Sequence, residues 1–102
     1  MWFVTVVEKM EQDERDPAWA KTGEVRCWAF YSDKKEATQS LHENWAHMHD
    51  HFYCYAVMEE YEEGILGYTG NRQWFKWDTE RQGYFEIEEP EGVKRIEYFA
   101  IG

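Results

Sequence analysis

The run Phe52-Tyr53-Cys54-Tyr55-Ala56-Val57-Met58 constrains this chain more than any other stretch. Seven consecutive apolar or aromatic residues, followed by Glu59-Glu60-Tyr61-Glu62-Glu63-Gly64, read as a strand buried on both faces that ends in charge and a glycine. Such a strand belongs in the middle of a sheet. The sequence places an amphipathic helical pattern before it and hairpin-like segments after it, so the remaining strands are expected to assemble on either side.

A chain of 102 residues is expected to form one domain over 1–102. It holds six Trp, seven Tyr and six Phe, and large rings let a small domain bury area quickly, at roughly 25 cal/mol per Å². Trp2 to Val7 is rich in β-branched and aromatic residues and reads as a first strand. Glu8 to Gly23 is polar and reads as an exposed loop or long hairpin connection. Val25 to Tyr31 reads as a second strand, antiparallel to the first.

Asp33 with Glu36 fits a capping box at the start of a helix. Ala37, Leu41, Trp45 and Met48 then form one apolar stripe, which carries the expected helix to Met48–Asp50. Gly64 to Gly70 reads as a glycine-containing turn. Gln73 to Trp77 and Gly83 to Ile87 read as a hairpin joined by Asp78 to Gln82, and Arg95 to Ile101 as a closing strand. The predicted class is α+β, a curved and mostly antiparallel sheet of five to six strands packed on one main helix. One helix cannot cover both faces of such a sheet, so either the sheet curls or an aromatic face awaits a partner.

The formal net charge of −10 disfavours direct nucleic-acid binding, which needs a positive surface, and disfavours an anionic membrane. It suits a basic protein surface. Thirteen of the 21 acids fall in three blocks, Glu8 to Asp16, Glu59 to Glu63 and Glu86 to Glu91. A solvated rim that protects sheet edges accounts for these blocks. So does a row of negative charges imitating a phosphate backbone. On the second reading Glu59, Glu60, Glu62, Glu63, Glu86, Glu88 and Glu89 are the expected contact acids, anchored by Trp74 and Trp77 of the aromatic hairpin.

All four histidines fall between His42 and His51. His47, His49 and His51, with Cys54 beyond, are candidate metal ligands, and Glu43, His47 and His51 would stack on a continuing helix. The second half of a zinc motif is missing, so a polar helix end is preferred and no cofactor is expected. Cys27 and Cys54 are expected to be small buried hydrophobes. No phosphate loop, nucleophile elbow or CxxC is present, and catalysis is not expected. The N-terminal segment lacks a basic stretch and no apolar run approaches a membrane helix, so a cytoplasmic protein is expected.

The ordered motifs Trp2-Phe3-Val4-Thr5-Val6, Tyr53-x-Tyr55-Ala56-Val57-x-Glu59-Glu60 with Gly64, Trp74-Phe75-x-Trp77, Tyr84, Pro90 and Phe99-Ala100-Ile101-Gly102 resemble a pattern in small acidic proteins of clostridial-type bacteria and their mobile elements. In that pattern the segment matching His47 to Asp50 is acidic, which weakens the metal reading. The resemblance implies a prophage or mobile-element setting and carries over no catalytic residues. Together with size and charge it leads to the expectation of a non-enzymatic phage or mobile-element inhibitor of a host defence nuclease, of anti-CRISPR or anti-restriction type. Such an inhibitor would act as a nucleic-acid mimic in the nuclease's basic groove. A metal-binding or metal-sensing domain and a structural homodimer module are the alternatives.

Overall fold

A computed structural model describes residues 1–12, 20–45, 53–62 and 68–90. In chain order the elements are β1 (Trp2–Val7), β2 (Glu11–Gln12), β3 (Ala20–Lys21), β4 (Val25–Tyr31), α1 (Lys34–His42), β5 (Tyr55–Tyr61), β6 (Tyr68–Asp78) and β7 (Gly83–Ile87). Five strands form one antiparallel sheet in the order β4-β1-β5-β6-β7, and β2 pairs with β3 in a small ladder within the long connection from β1 to β4. The class is α+β with an open, curved sheet. The strand that the apolar run announced is the middle strand of five.

Its limits differ from the expected ones. β5 begins at Tyr55 and continues through Glu59 and Glu60 to Tyr61, where the sequence pattern places its end at Met58. Two acids stay inside the strand because the neighbouring β6 supplies them with partners, described below. β6 is likewise longer than expected. It takes in Tyr68 to Gly70, part of the anticipated turn, while residues 63–67 lie outside the described residues. The closing strand Arg95 to Ile101 also lies outside them.

Alternation along β1 and β5 sorts the side chains onto two faces. Trp2, Val4 and Val6 join Ala56, Met58, Phe75 and Tyr84 beneath Ala37 and Leu41 of α1. The helix packs against β1 and against both edge strands, β4 and β7, so the sheet curls around it. On the opposite face Val7, Val57 and Trp74 make a second buried cluster, with Met10, Tyr55 and Ile87 packed against it.

The helix is shorter than its apolar stripe implied. Asp33 caps the N-terminus, its Oδ1 accepting the Lys35 N–H at 2.9 Å. The C-terminus closes after His42. Asn44 takes φ 50°, and the Trp45 N–H donates to the Ser40 carbonyl while the Asn44 N–H donates to that of Leu41. This is a Schellman closure with asparagine at the left-handed position. It turns Trp45 out of the stripe and leaves it 44% exposed, while Ala37 and Leu41 are buried as expected. Met48 lies outside the described residues.

Both cysteines depart from expectation, being free and exposed. Cys27 sits on edge strand β4 next to a bulge opposite Val4 and Thr5, and Cys54 lies just before β5.

Candidate functional site

The antiparallel order β5-β6-β7 brings the end of β5, the start of β6 and the end of β7 to one margin of the sheet. Two acidic blocks that are 27 positions apart in the sequence therefore meet across β6. The residue that joins them is Arg72. In the register of β5 and β6 it stands opposite Glu59. Its Nε and Nη2 lie 3.2 and 3.1 Å from Glu59 Oε2, and its Nη1 lies 3.3 Å from Glu89 Oε1.

Glu59 is 0% exposed, and the Arg72 side chain is only 10% exposed. This corrects the expectation that Glu59 belongs to a solvated contact row. A buried carboxylate persists only when it is paired and hydrogen-bonded, and Arg72 meets that requirement. Trp74 is corrected in the same way: it is buried beside Val57, its register partner on β5, and is no surface anchor. Trp77 is half-buried and packs edge-on against Tyr84 at 5.3 Å, on the flank of the main core.

Glu60, adjacent to Glu59, points to the other face and holds a different environment. The ladder shifts between Glu59 and Tyr61, so Thr69, Gly70 and Asn71 bulge opposite Glu60, with Gly70 at φ 93°. The Glu60 Oε1 accepts from Asn71 Nδ2 at 2.7 Å and from the Thr69 hydroxyl at 3.0 Å. The Asn71 bond first, and the Thr69 bond second, hold the Glu60 carboxyl below the ordinary carboxylate value. At neutral pH it is a fixed negative charge.

Glu62, Glu86, Glu88 and Glu89 are exposed, and Glu63 lies outside the described residues. Two hollows flank Arg72 and share Gly70 and Gln73 in their walls. One of about 250 Å³ opens toward Glu86 and Glu89, and one of about 430 Å³ toward Glu60 and Lys34. Glu60, Glu86 and Glu89 thus line a polar margin whose carboxylates can accept hydrogen bonds from cationic groups. Arg72, Thr69 and Asn71 were not singled out from the sequence. The Thr69-Gly70-Asn71-Arg72 string carried a usable signal, since glycine inside a strand marks a bulge.

The candidate metal ligands His47, His49 and His51 lie outside the described residues. Among the described residues no group of three metal-ligating side chains occurs. His42 is placed: its Nδ1 is 2.9 Å from the Tyr84 carbonyl, and its ring stacks on Phe85 at 4.5 Å. Partial desolvation lifts the Cys27 thiol above its ordinary value, opposed by the Thr5 hydroxyl beside it and reinforced by the Glu59 charge. The sulfur therefore remains a neutral thiol at physiological pH.

No protein-family model, curated protein or solved structure matches this chain. No described helix is long and apolar enough to cross a membrane.

Proposed function

We propose that this protein is a non-enzymatic acidic binding module whose β5-β6-β7 margin docks on a basic protein surface. The observation that carries the reading is the placement of Glu60, Glu86 and Glu89 in the walls of the two hollows that flank Arg72, with exposed Glu62 and Glu88 close to them in the chain. Glu60 and Glu86 are held on strands and Glu89 is tied to Arg72, so less ordering entropy opposes binding than for a mobile acidic tail. The net charge of −10 adds long-range steering toward a cationic groove.

The finer identity follows from that charge and from the resemblance to acidic proteins of mobile elements. The partner is a nucleic-acid-binding groove of a host defence nuclease, and the acidic margin occupies the place of the phosphate backbone. Glu59 and Trp74 take no direct part; they build the margin from below. The test is a five-site variant, Glu→Gln at positions 60, 62, 86, 88 and 89, compared with the native chain in capture from a host extract. A nucleic-acid-binding protein retained by the native chain, released by added duplex DNA and lost by the variant is the expected result. Retention by the variant at low salt, where surface electrostatics is strongest, would overturn the proposal.

A further inference from the structure

The sheet has two edge strands among the described residues, and they are treated in opposite ways. An exposed edge offers unpaired N–H and C=O groups to any other strand, so folded chains protect edges with charge, proline or a covering element. β7 carries all three. The His42 ring lies 2.9 Å from the Tyr84 carbonyl, the His42 backbone closes against Gly83, and Glu86, Glu88, Glu89 and Pro90 follow.

β4 has no proline and, among the described residues, no element along its outer edge; its protections are one charge and the bulge at Trp28. From Val25 to Tyr31 its single charge is Arg26, whose Nη2 is already paired 2.9 Å from Glu24. The large exposed hydrophobic residues among the described ones are Val25 at 37%, Phe30 at 63% and Trp45 at 44%. Two of the three are on β4, and the third meets Tyr31 of the same strand edge-on at 6.5 Å. Exposed Cys27 lies between them. Phe30 is backed by Phe3 at 5.8 Å, so its ring is held in place rather than free to fold away.

The charge distribution selects the occupant. In a chain of net charge −10, a strand with no acid is where a second copy can approach with least repulsion. A cationic partner would gain little from it. We propose that β4 is a self-association edge, through which two copies pair antiparallel about a two-fold axis. The register with β1 puts Val25, Cys27 and Phe30 on the face away from α1 and Arg26 on the helix face, so each copy brings an exposed apolar row on one face to the seam. The described strands of the two copies then join as one sheet, with the β5-β6-β7 margins at its far ends. The proposal does not rest on the role given to those margins.

Sedimentation velocity across a dilution series reads the dimer directly. The native chain is expected to be dimeric at about 100 µM, in the range of modest strand-edge interfaces, and Phe30→Glu is expected to weaken dimerisation at least about tenfold. Phe30 is exposed, so the variant should keep the native melting temperature. The five-site acidic variant should dimerise as well as or better than the native chain. A native chain that stays monomeric would overturn the proposal, as would a folded Phe30→Glu chain that dimerises normally. Hydrogen exchange on the native chain decides the matter without any substitution. Slowing confined to Val25–Tyr31 as concentration rises supports the edge, and slowing elsewhere or nowhere refutes it.

Discussion

The two faces of β5 are built by different physics. Toward the helix, Ala56 and Met58 sit in an apolar core with Val4, Val6 and Leu41, where burial and close packing are the stabilising terms. On the other side, Val57 leads to Glu59, and the same strand buries a full negative charge that Arg72 neutralises from β6. An apolar face tolerates exchange among residues of similar size. The buried ion pair tolerates single changes poorly, because Glu59 without Arg72 is a stranded charge.

The sharpest way to break this contrast is to truncate neighbours in the sequence. Glu59→Ala should cost about 3 kcal/mol, the lower end for breaking a buried pair, because Arg72 loses its buried counter-ion and keeps Glu89. Met58→Ala should cost a comparable 2–5 kcal/mol by opening a cavity, to order of magnitude. The two faces separate in the rescue. Replacing both Glu59 and Arg72 by Leu should return most of the lost stability, to within about 1–2 kcal/mol of native, since no charge is then buried alone. Urea unfolding of the three variants reads all of this, and a double variant no better than Glu59→Ala would contradict the ion-pair account.

A smaller effect tests the helix side by overpacking. A Cβ on Gly83 would collide with the His42 carbonyl, so Gly83→Ala should cost about 1–3 kcal/mol and loosen the α1–β7 contact first in hydrogen exchange. Removing the helix cap is milder still: Asp33→Ala should lower stability by about 1 kcal/mol without touching the Glu59 face. Thermal unfolding ranks the two.

The least costly change at neutral pH lies at Glu60. Its carboxyl is held below the ordinary value by Asn71 and Thr69, so its contribution is present above about pH 4.3 and is lost as pH falls through the lower folded-state value. Glu60→Gln should therefore lower stability slightly above about pH 4.3 and flatten the acid limb, so that the two profiles converge as pH falls. Denaturation midpoints measured from pH 2 to pH 7, a range that brackets ordinary carboxylate titration, check this.

The adjacent pair Glu59–Glu60 also shows how far the sequence could be read. Local pattern identified β1, β4, the Asp33 cap and the β6–β7 hairpin, because apolar alternation and capping chemistry are written into neighbouring residues. It placed the helix end too late, since Ala37, Leu41, Trp45 and Met48 keep helical spacing and Asn44 in its left-handed turn was overlooked. It treated Glu59 to Glu63 as one solvated block, because composition does not say which face of a strand meets which neighbour.

The central apolar run, the α+β class and the concentration of acid in blocks were therefore determined by the sequence alone, through periodicity and composition. The tertiary structure decided what those acids are. Strand register put Arg72 opposite Glu59 and made it interior, a bulge at Gly70 wrapped Glu60, and sheet order carried Glu86, Glu88 and Glu89 to the same margin. The physical reason is range. Propensity, capping and alternation act within a few residues, whereas desolvation and ion pairing depend on which distant strand lies alongside.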